Sequence, residues 1–140
     1  MKPCRCTPPQ IDRYANRLSG PLRDRIDLTV AVAAMPAKEL TEAAGGEASA
    51  VIRDRVVGAR QRQLVRGGRL NARLQGRGLR EAIRLEPAAR QLLDAALTRL
   101  ALSARAHDRV LRVARTIADL DAEDGVGADH LGEALQFRGS

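Results

Sequence analysis

The stretch from Ser103 to Leu120 constrains this chain more than any other, because it can be little else than a long helix with two distinct sides. Ala106, Val110, Val113, Ile117 and Leu120 recur at steps of three and four, so a 3.6-residue helix gathers them into one apolar stripe. Arg105, Arg109 and Arg112 recur at the same steps and share another face. Ser103 is placed to accept from the free N–H groups at the helix start, and Gly125 and Gly127 follow where the helix can end. At 1.5 Å per residue such a helix is about 27 Å long, enough to cross a small domain. Its arginine face either solvates the surface or meets something anionic.

Charge extends that argument. The 140 residues carry a formal net charge of +7, and 22 of the 24 basic residues are arginine. Arginine is the better bidentate phosphate ligand, yet a GC-rich coding sequence would give the same bias. The block from Ser49 to Arg80 is denser still: nine arginines stand against one acid, Asp54, a net +8. Within it Ser49 can cap a helix running to about Arg66, with Ile52, Val56, Ala59 and Gln63 turned inward. Arg55, Arg62 and Arg66 then share an outer side and are the candidate nucleic-acid contacts, a solvated or subunit-facing surface being the alternative. Tyr14 and Phe137 are the only aromatic residues, too few for a base-stacking platform.

The N-terminal forty residues follow different rules. Thr7 and Pro8 open a helix expected to run to about Leu18, and Ser19-Gly20-Pro21 breaks it. From Ile26 the pattern alternates strictly, with Ile26, Leu28, Val30 and Val32 on one side, which predicts a strand. No second convincing strand exists to pair with it, so the segment reads as part of a sheet whose other strands lie elsewhere. Pro36 to Gly46 is turn-like, with room for a short helix from Lys38 to Ala44. After the arginine block come a short helix at Leu79 to Arg84 and one opening at Pro87. The latter carries Ala88, Leu92, Ala95 or Ala96 and Leu100 inward, and a final helix runs from Ala128 to Phe137. The fold class expected is mainly α: a small helical bundle preceded by a helix and a lone strand. Its divisions fall at 1–40, a linker at 41–48 and a helical domain at 49–138.

Catalytic motifs are missing. No G-x-x-x-x-G-K-[ST] loop is present, since neither Lys2 nor Lys38 follows a glycine, and there is no H-E-x-x-H. His107 and His130 lack ligand-spaced partners, and Cys4-Arg5-Cys6 offers at most two of the four ligands that structural zinc takes, so no metal site is expected. No apolar run approaches 18 residues and no signal peptide is evident, so the expected location is cytoplasmic. Taken alone, the chain should not be an enzyme.

Several runs carry a resemblance. They are Cys4-Arg5-Cys6-Thr7-Pro8, Gln10-Ile11, Arg13-Tyr14, Arg17-Leu18-Ser19-Gly20-Pro21-Leu22, Asp24-Arg25-Ile26-Asp27-Leu28, Gly46-Glu47, Asn71-Ala72, Leu102-Ser103-Ala104-Arg105 and Val113 through Leu120. Together they resemble the C-terminal part of the magnesium-chelatase-like AAA+ ATPases, the competence-protein ComM family. The likeness covers essentially the whole chain. It implies the end of an ATPase core followed by a helical lid, in a homo-oligomeric ring, expected as a hexamer, that acts on DNA as a branch-migration helicase in natural transformation. It also implies ATP and Mg²⁺ as cofactors of the longer parent, with none expected for this chain alone. Arg25 matches the arginine finger that reaches the neighbouring subunit's γ-phosphate, a salt bridge to Asp24 or Asp27 being its structural alternative. Arg105 matches the sensor-2 arginine that contacts the nucleotide of its own subunit. Arg23 stands where the family usually has an apolar residue, and the family's upstream cysteine pair is absent, which rules out a four-cysteine zinc site. The reading that competes with this one is a free-standing basic helical module that binds nucleic acid or regulates such an ATPase.

Overall fold

In the computed structural model, which describes residues 5–23, 25–35 and 45–138, most of the described residues lie in helices. There are seven α-helices among the described residues: α1 Pro8–Ala15, α2 Gly20–Arg23, α3 Ser49–Gly67, α4 Gly76–Ala82, α5 Pro87–Arg99, α6 Ala104–Leu120 and α7 Ala128–Gln136. A single 3₁₀ turn, Asn71–Arg73, joins α3 to α4. The protein is mainly α, as its periodicity requires. The helix expected from Lys38 to Ala44 lies outside the described residues.

α6 is the axis. It packs against α7 and α4 and, on another side, against α3 and the 3₁₀ turn, while α5 covers α7. Ser103 caps it as expected, its hydroxyl accepting from the Ala106 N–H at 3.2 Å. The core gathers Ala89 and Leu93 of α5, Val110, Leu111, Ala114, Ile117 and Ala118 of α6, Val126, and Leu131 and Ala134 of α7. The α6 stripe is thus rotated slightly from the expected one: Ala114 and Ala118 are fully buried, and Val113 and Leu120 are half-buried. Small alanines let α7 approach closely, whereas the bulkier residues fill the margins. α5 is rotated in the same way, with Ala89, Leu93 and Ala96 inward and Ala88 and Leu100 exposed.

The strand expected from Ile26 is corrected by the fold. Residues 26–35 form no regular element, and no partner strand lies beside them among the described residues, so no ladder forms. Ile26, Leu28, Val30 and Val32 are all exposed. The segment lies as a strap across the bundle: the Thr29 N–H donates to the Phe137 carbonyl at 2.9 Å. Extended pairing occurs instead where periodicity gave no sign of it, in a parallel bridge between Leu85 and Val126. There the Val126 N–H donates to Arg84 and the Glu86 N–H to Val126, which ties the α4–α5 connection to the α6–α7 loop. α1 stops at Ala15 rather than Leu18, and none of its residues is buried. α3 starts at Ser49 with Ala48 as its cap residue, so Ser49 does not cap it. Of its expected inward residues, Ala59 and Gln63 are buried, but Ile52 and Val56 are exposed because the first turns of α3 extend beyond the bundle.

The end of α6 departs from the glycine stop expected for it. The Glu123 N–H reaches back to the Ala118 carbonyl at 2.8 Å, and Ala122 takes the left-handed conformation, φ 66°, that this closure demands. Gly125 and Gly127 do different work: a β-carbon on Gly125 would stand 3.0 Å from Glu86 Oε1, so that glycine lets the loop close against α5. An alanine at positive φ is strained where glycine is not, so Ala122→Gly should raise unfolding free energy by about 0.5–1 kcal/mol, measured by urea denaturation. A lower midpoint for that variant would remove the strain argument.

Candidate functional site

Two arrangements of side chains surround α6, one buried and one open. The buried one centres on Asp119, 1% exposed. Arg66, from the last turn of α3, grips it in a fork: Nη1 lies 2.7 Å from Oδ1 and Nη2 2.8 Å from Oδ2. Asn71 donates to Oδ2 at 2.8 Å, to Thr116 Oγ1 at 3.1 Å, and accepts from Arg66 at 3.0 Å. Its own N–H is taken by the buried Gln63 Oε1 at 3.0 Å. Arg115, fully buried, completes the ring one turn before Asp119, with Nη2 3.1 Å from Oδ1. The same guanidinium donates to the carbonyls of Asp124 and Glu123 in the loop that follows α6.

The electrostatics follow from this packing. Burial alone would push the Asp119 carboxyl up, but the hydrogen bonds from Arg66 and Asn71 and the charge of Arg115 outweigh it and hold the group below the ordinary carboxylate value. Arg66 is raised, chiefly by its bond to Asp119. Arg115 is lowered, because burial disfavours its charge more than Asp119 repays, and Arg66 adds repulsion.

Of the three arginines expected to form an outer row, Arg66 therefore leaves it. At 100° per residue it sits about 20° from Ala59, on the flank that faces the bundle. Arg55 is exposed but forked onto Glu47 at 2.7 and 3.0 Å, which keeps its proton more firmly held. Arg62 remains exposed and lines a cleft of about 490 Å³ with Arg66, Asp119, Glu123 and Asp124.

The open arrangement lies at the other end of α6. Arg105 is exposed in its first turn. One turn on, Arg109 is buried and donates to the Ile26 carbonyl at 2.7 Å. Arg112 follows, reaching Leu74 O at 3.4 Å and standing 4.0 Å from Asp27. The arginine row read from the sequence is real, but only its first member stays in solvent. Arg25 is exposed beside the strap, directly before the residue that Arg109 grips. Asp24 lies outside the described residues. A cavity of about 340 Å³ opens beneath the strap, lined by Leu28, Val113, Ile117 and Phe137 with Arg109, Arg112 and Glu133.

Among the described residues no cluster of three or more His, Cys, Asp and Glu side chains is placed to hold a metal ion. Cys6 is exposed with a free thiol, and Cys4 lies outside the described residues. His130 serves as a cap, its Nδ1 accepting from the Gly127 N–H at 3.0 Å at the start of α7. No helix among the described residues is long and apolar enough to cross a membrane.

Residues 46–138 match the family described as magnesium chelatase, subunit ChlI C-terminal, and residues 1–40 match magnesium chelatase, subunit ChlI. The chain belongs to the magnesium chelatase ChlI C-terminal family. It is 44% identical over 135 residues to protein YifB of Escherichia coli strain K12, which covers 96% of this chain and 27% of that relative. It is 42% identical over 135 residues to the competence protein ComM of Haemophilus influenzae, covering 96% and 26%. Rv2897c of Mycobacterium tuberculosis is 42% identical over 139 residues, covering 96% and 27%. The chain thus spans about a quarter of the length of these relatives. Within the magnesium-chelatase-like family, the runs that carry the likeness coincide with the buried clamp: Asn71-Ala72 and Val113 through Leu120 contain Asn71, Arg115, Thr116 and Asp119.

Sequence reasoning missed that clamp. Its signal was present as Arg115 and Asp119, four residues apart and embedded in an otherwise apolar run, a spacing that on a buried helix demands a partner. Because the folded Asp119 carboxyl is held below its unfolded value near 3.8, the clamp contributes fully above that pH and is lost as pH falls through the lowered value. Asp119→Asn should cost about 3 kcal/mol at pH 7, and the gap from the parent chain should shrink between pH 4 and pH 2. Chemical denaturation at pH 7, 4 and 2.5 checks both the size and the direction; a gap that widened on acidification would contradict the clamp.

Proposed function

We propose that this chain is the arginine-finger and sensor-2 lid region of a magnesium-chelatase-like AAA+ ATPase that assembles as a homo-oligomeric ring and acts on DNA. Residues 1–40 then end the ATPase core, 41–48 link, and 49–138 form the lid. The observation that carries this reading is the disposition of arginines around α6 in a chain of this family. Arg66, Arg109 and Arg115 are committed to the bundle, whereas Arg25 and Arg105 hold their guanidinia out in solvent. A guanidinium fork free of carboxylate partners is suited to phosphate oxygens. That the Haemophilus influenzae relative is a competence protein supports a role in natural transformation.

In this reading ATP with Mg²⁺, when bound to the parent protein, supplies the γ-phosphoryl group that passes to water. Arg105 contacts the nucleotide of its own subunit from the first turn of α6. Arg25 reaches the neighbour's nucleotide and balances charge that develops on the transferred phosphoryl group, an effect worth about 10³–10⁵ in rate in the GTPases where it is measured. The 140-residue chain alone hydrolyses no ATP, because it has no loop to cradle the phosphates.

In the full-length protein, Arg25→Ala should cut turnover strongly with ATP binding nearly intact, since its contact matters in the transition state. Arg105→Ala should weaken binding as well. Mixing Arg25→Ala subunits with subunits mutated in the Walker lysine should restore some turnover, because an intact finger then faces an intact site. A mixture no more active than either parent would remove the action in trans.

Contact with DNA is assigned to the arginine-dense face of α3. Arg62 is its clearest probe and Arg55 its second. Arg66 is a poor one, since removing it leaves Asp119 buried with less compensation. Affinity for duplex DNA should fall with salt at a log–log slope of about −0.9 per phosphate neutralised. Arg55→Glu with Arg62→Glu should flatten that slope by about two, read by fluorescence anisotropy from 50 to 300 mM salt on the order of these concentrations. An unchanged slope would assign this face to subunit contacts.

A further inference from the structure

Arg109 is an arginine buried to within 8% of its exposed area that spends a charged donor on a backbone carbonyl far away in sequence. A charged hydrogen bond to a neutral carbonyl fixes a chain segment more than it gains in net energy, because the guanidinium's desolvation offsets much of it. What it fixes is Ile26 O, the carbonyl directly after Arg25. The next two anchors follow at once: Asp27 stands 4.0 Å from Arg112, and Thr29 donates to Phe137 O. Three attachments within four residues hold a strap that pairs with no strand among the described residues.

The other end of the linkage is Arg105. It lies four residues before Arg109 on the same continuous helix, so about 6 Å of rigid rise separates the two α-carbons. An α-helix transmits rotation and translation over one turn almost without loss, whereas an unpaired extended segment does not hold its position unaided. Arg105 and Arg25 are therefore joined by a short mechanical path: helix turn, guanidinium, carbonyl, strap.

We propose that Arg109 is a positioning residue that latches the Arg25 strap to α6, so that Arg25 and Arg105 move as one unit. The proposal rests on the reading of Arg25 and Arg105 as nucleotide contacts for its functional meaning, but not for the latch itself. If one arginine serves the neighbour's nucleotide and the other its own, the latch makes occupancy of one site bear on the geometry of the next. A displacement of α6 on nucleotide binding is passed to the finger by way of the Arg109 bond to the Ile26 carbonyl.

Pulsed electron–electron distance measurement on the 140-residue chain tests the latch without nucleotide. Spin labels are placed at Arg25→Cys and Arg105→Cys in a chain carrying Cys4→Ser and Cys6→Ser. The latch predicts a single narrow distance, which broadens in Arg109→Gln and is largely kept in Arg109→Lys, whose ammonium still donates to the carbonyl. Amide exchange provides the second readout: in Arg109→Gln protection at Thr29 is lost while Leu111 to Ala118 stay protected. An unchanged distance in Arg109→Gln, or a loss of protection spread evenly through α6, overturns the proposal. In the full-length protein Arg109→Gln should lower kcat at least about tenfold with KM for ATP held, the signature of misplacement rather than lost binding. A narrow, Arg109-dependent distance together with unaltered turnover in Arg25→Ala and Arg105→Ala would keep the latch and discard the nucleotide reading.

Discussion

The bundle depends on a buried carboxylate that is never left alone. Asp119 sits on the helix that α3, α4, α7 and the 3₁₀ turn pack against, in surroundings where an uncompensated charge costs several kcal/mol. Its cost is met by the fork of Arg66, the amide of Asn71 and the buried Arg115, each from a different position along the chain. The consequence is geometric. α3 buries only Ala59 and Gln63, too little apolar area to fix a 19-residue helix against the core. Its orientation is set by Arg66 on Asp119 and by Gln63 on the Asn71 N–H instead. Directional polar contacts specify an angle where a thin apolar contact would permit several.

α6 consequently has two jobs on two sides. Toward α5 and α7 it is a conventional core helix, with alanines where the neighbours come closest and Val110, Leu111 and Ile117 filling the space between. Toward α3 and the strap it is a row of guanidinia with assigned partners, Arg115 turned to its own C-terminal loop and Arg109 to Ile26. Cations that meet carbonyls and carboxylates in this way stiffen the margins of a small bundle. Arg25 and Arg105, beside this row, stay exposed to solvent.

Magnesium-chelatase-like membership was visible in the runs Leu102-Ser103-Ala104-Arg105 and Val113 through Leu120 before any fold was known. The structure adds why those runs have the residues they do. Thr116 and Asp119 face Asn71, so the second run matches residues that meet only in three dimensions. Arg66 illustrates the opposite case. Its sequence neighbours Arg62 and Arg69 mark it as one more surface cation, and only its place about 20° from Ala59 on the helix sets it apart within α3. The distinction comes from Asp119, 53 residues away.

What the sequence determined by itself was local. The three-and-four repeat fixed α6 and its Ser103 cap, and Pro87 fixed the start of α5. These follow from φ/ψ preferences and side-chain periodicity, which act over a few residues. Tertiary structure alone decided three further matters: that residues 26–35 are a strap without a ladder, that Arg109 turns inward and Arg66 onto Asp119, and that Leu85 pairs with Val126. Each depends on which distant group arrives opposite a residue. A buried charge can be tolerated only where its partner is brought by the fold, and a periodic pattern carries no record of that partner.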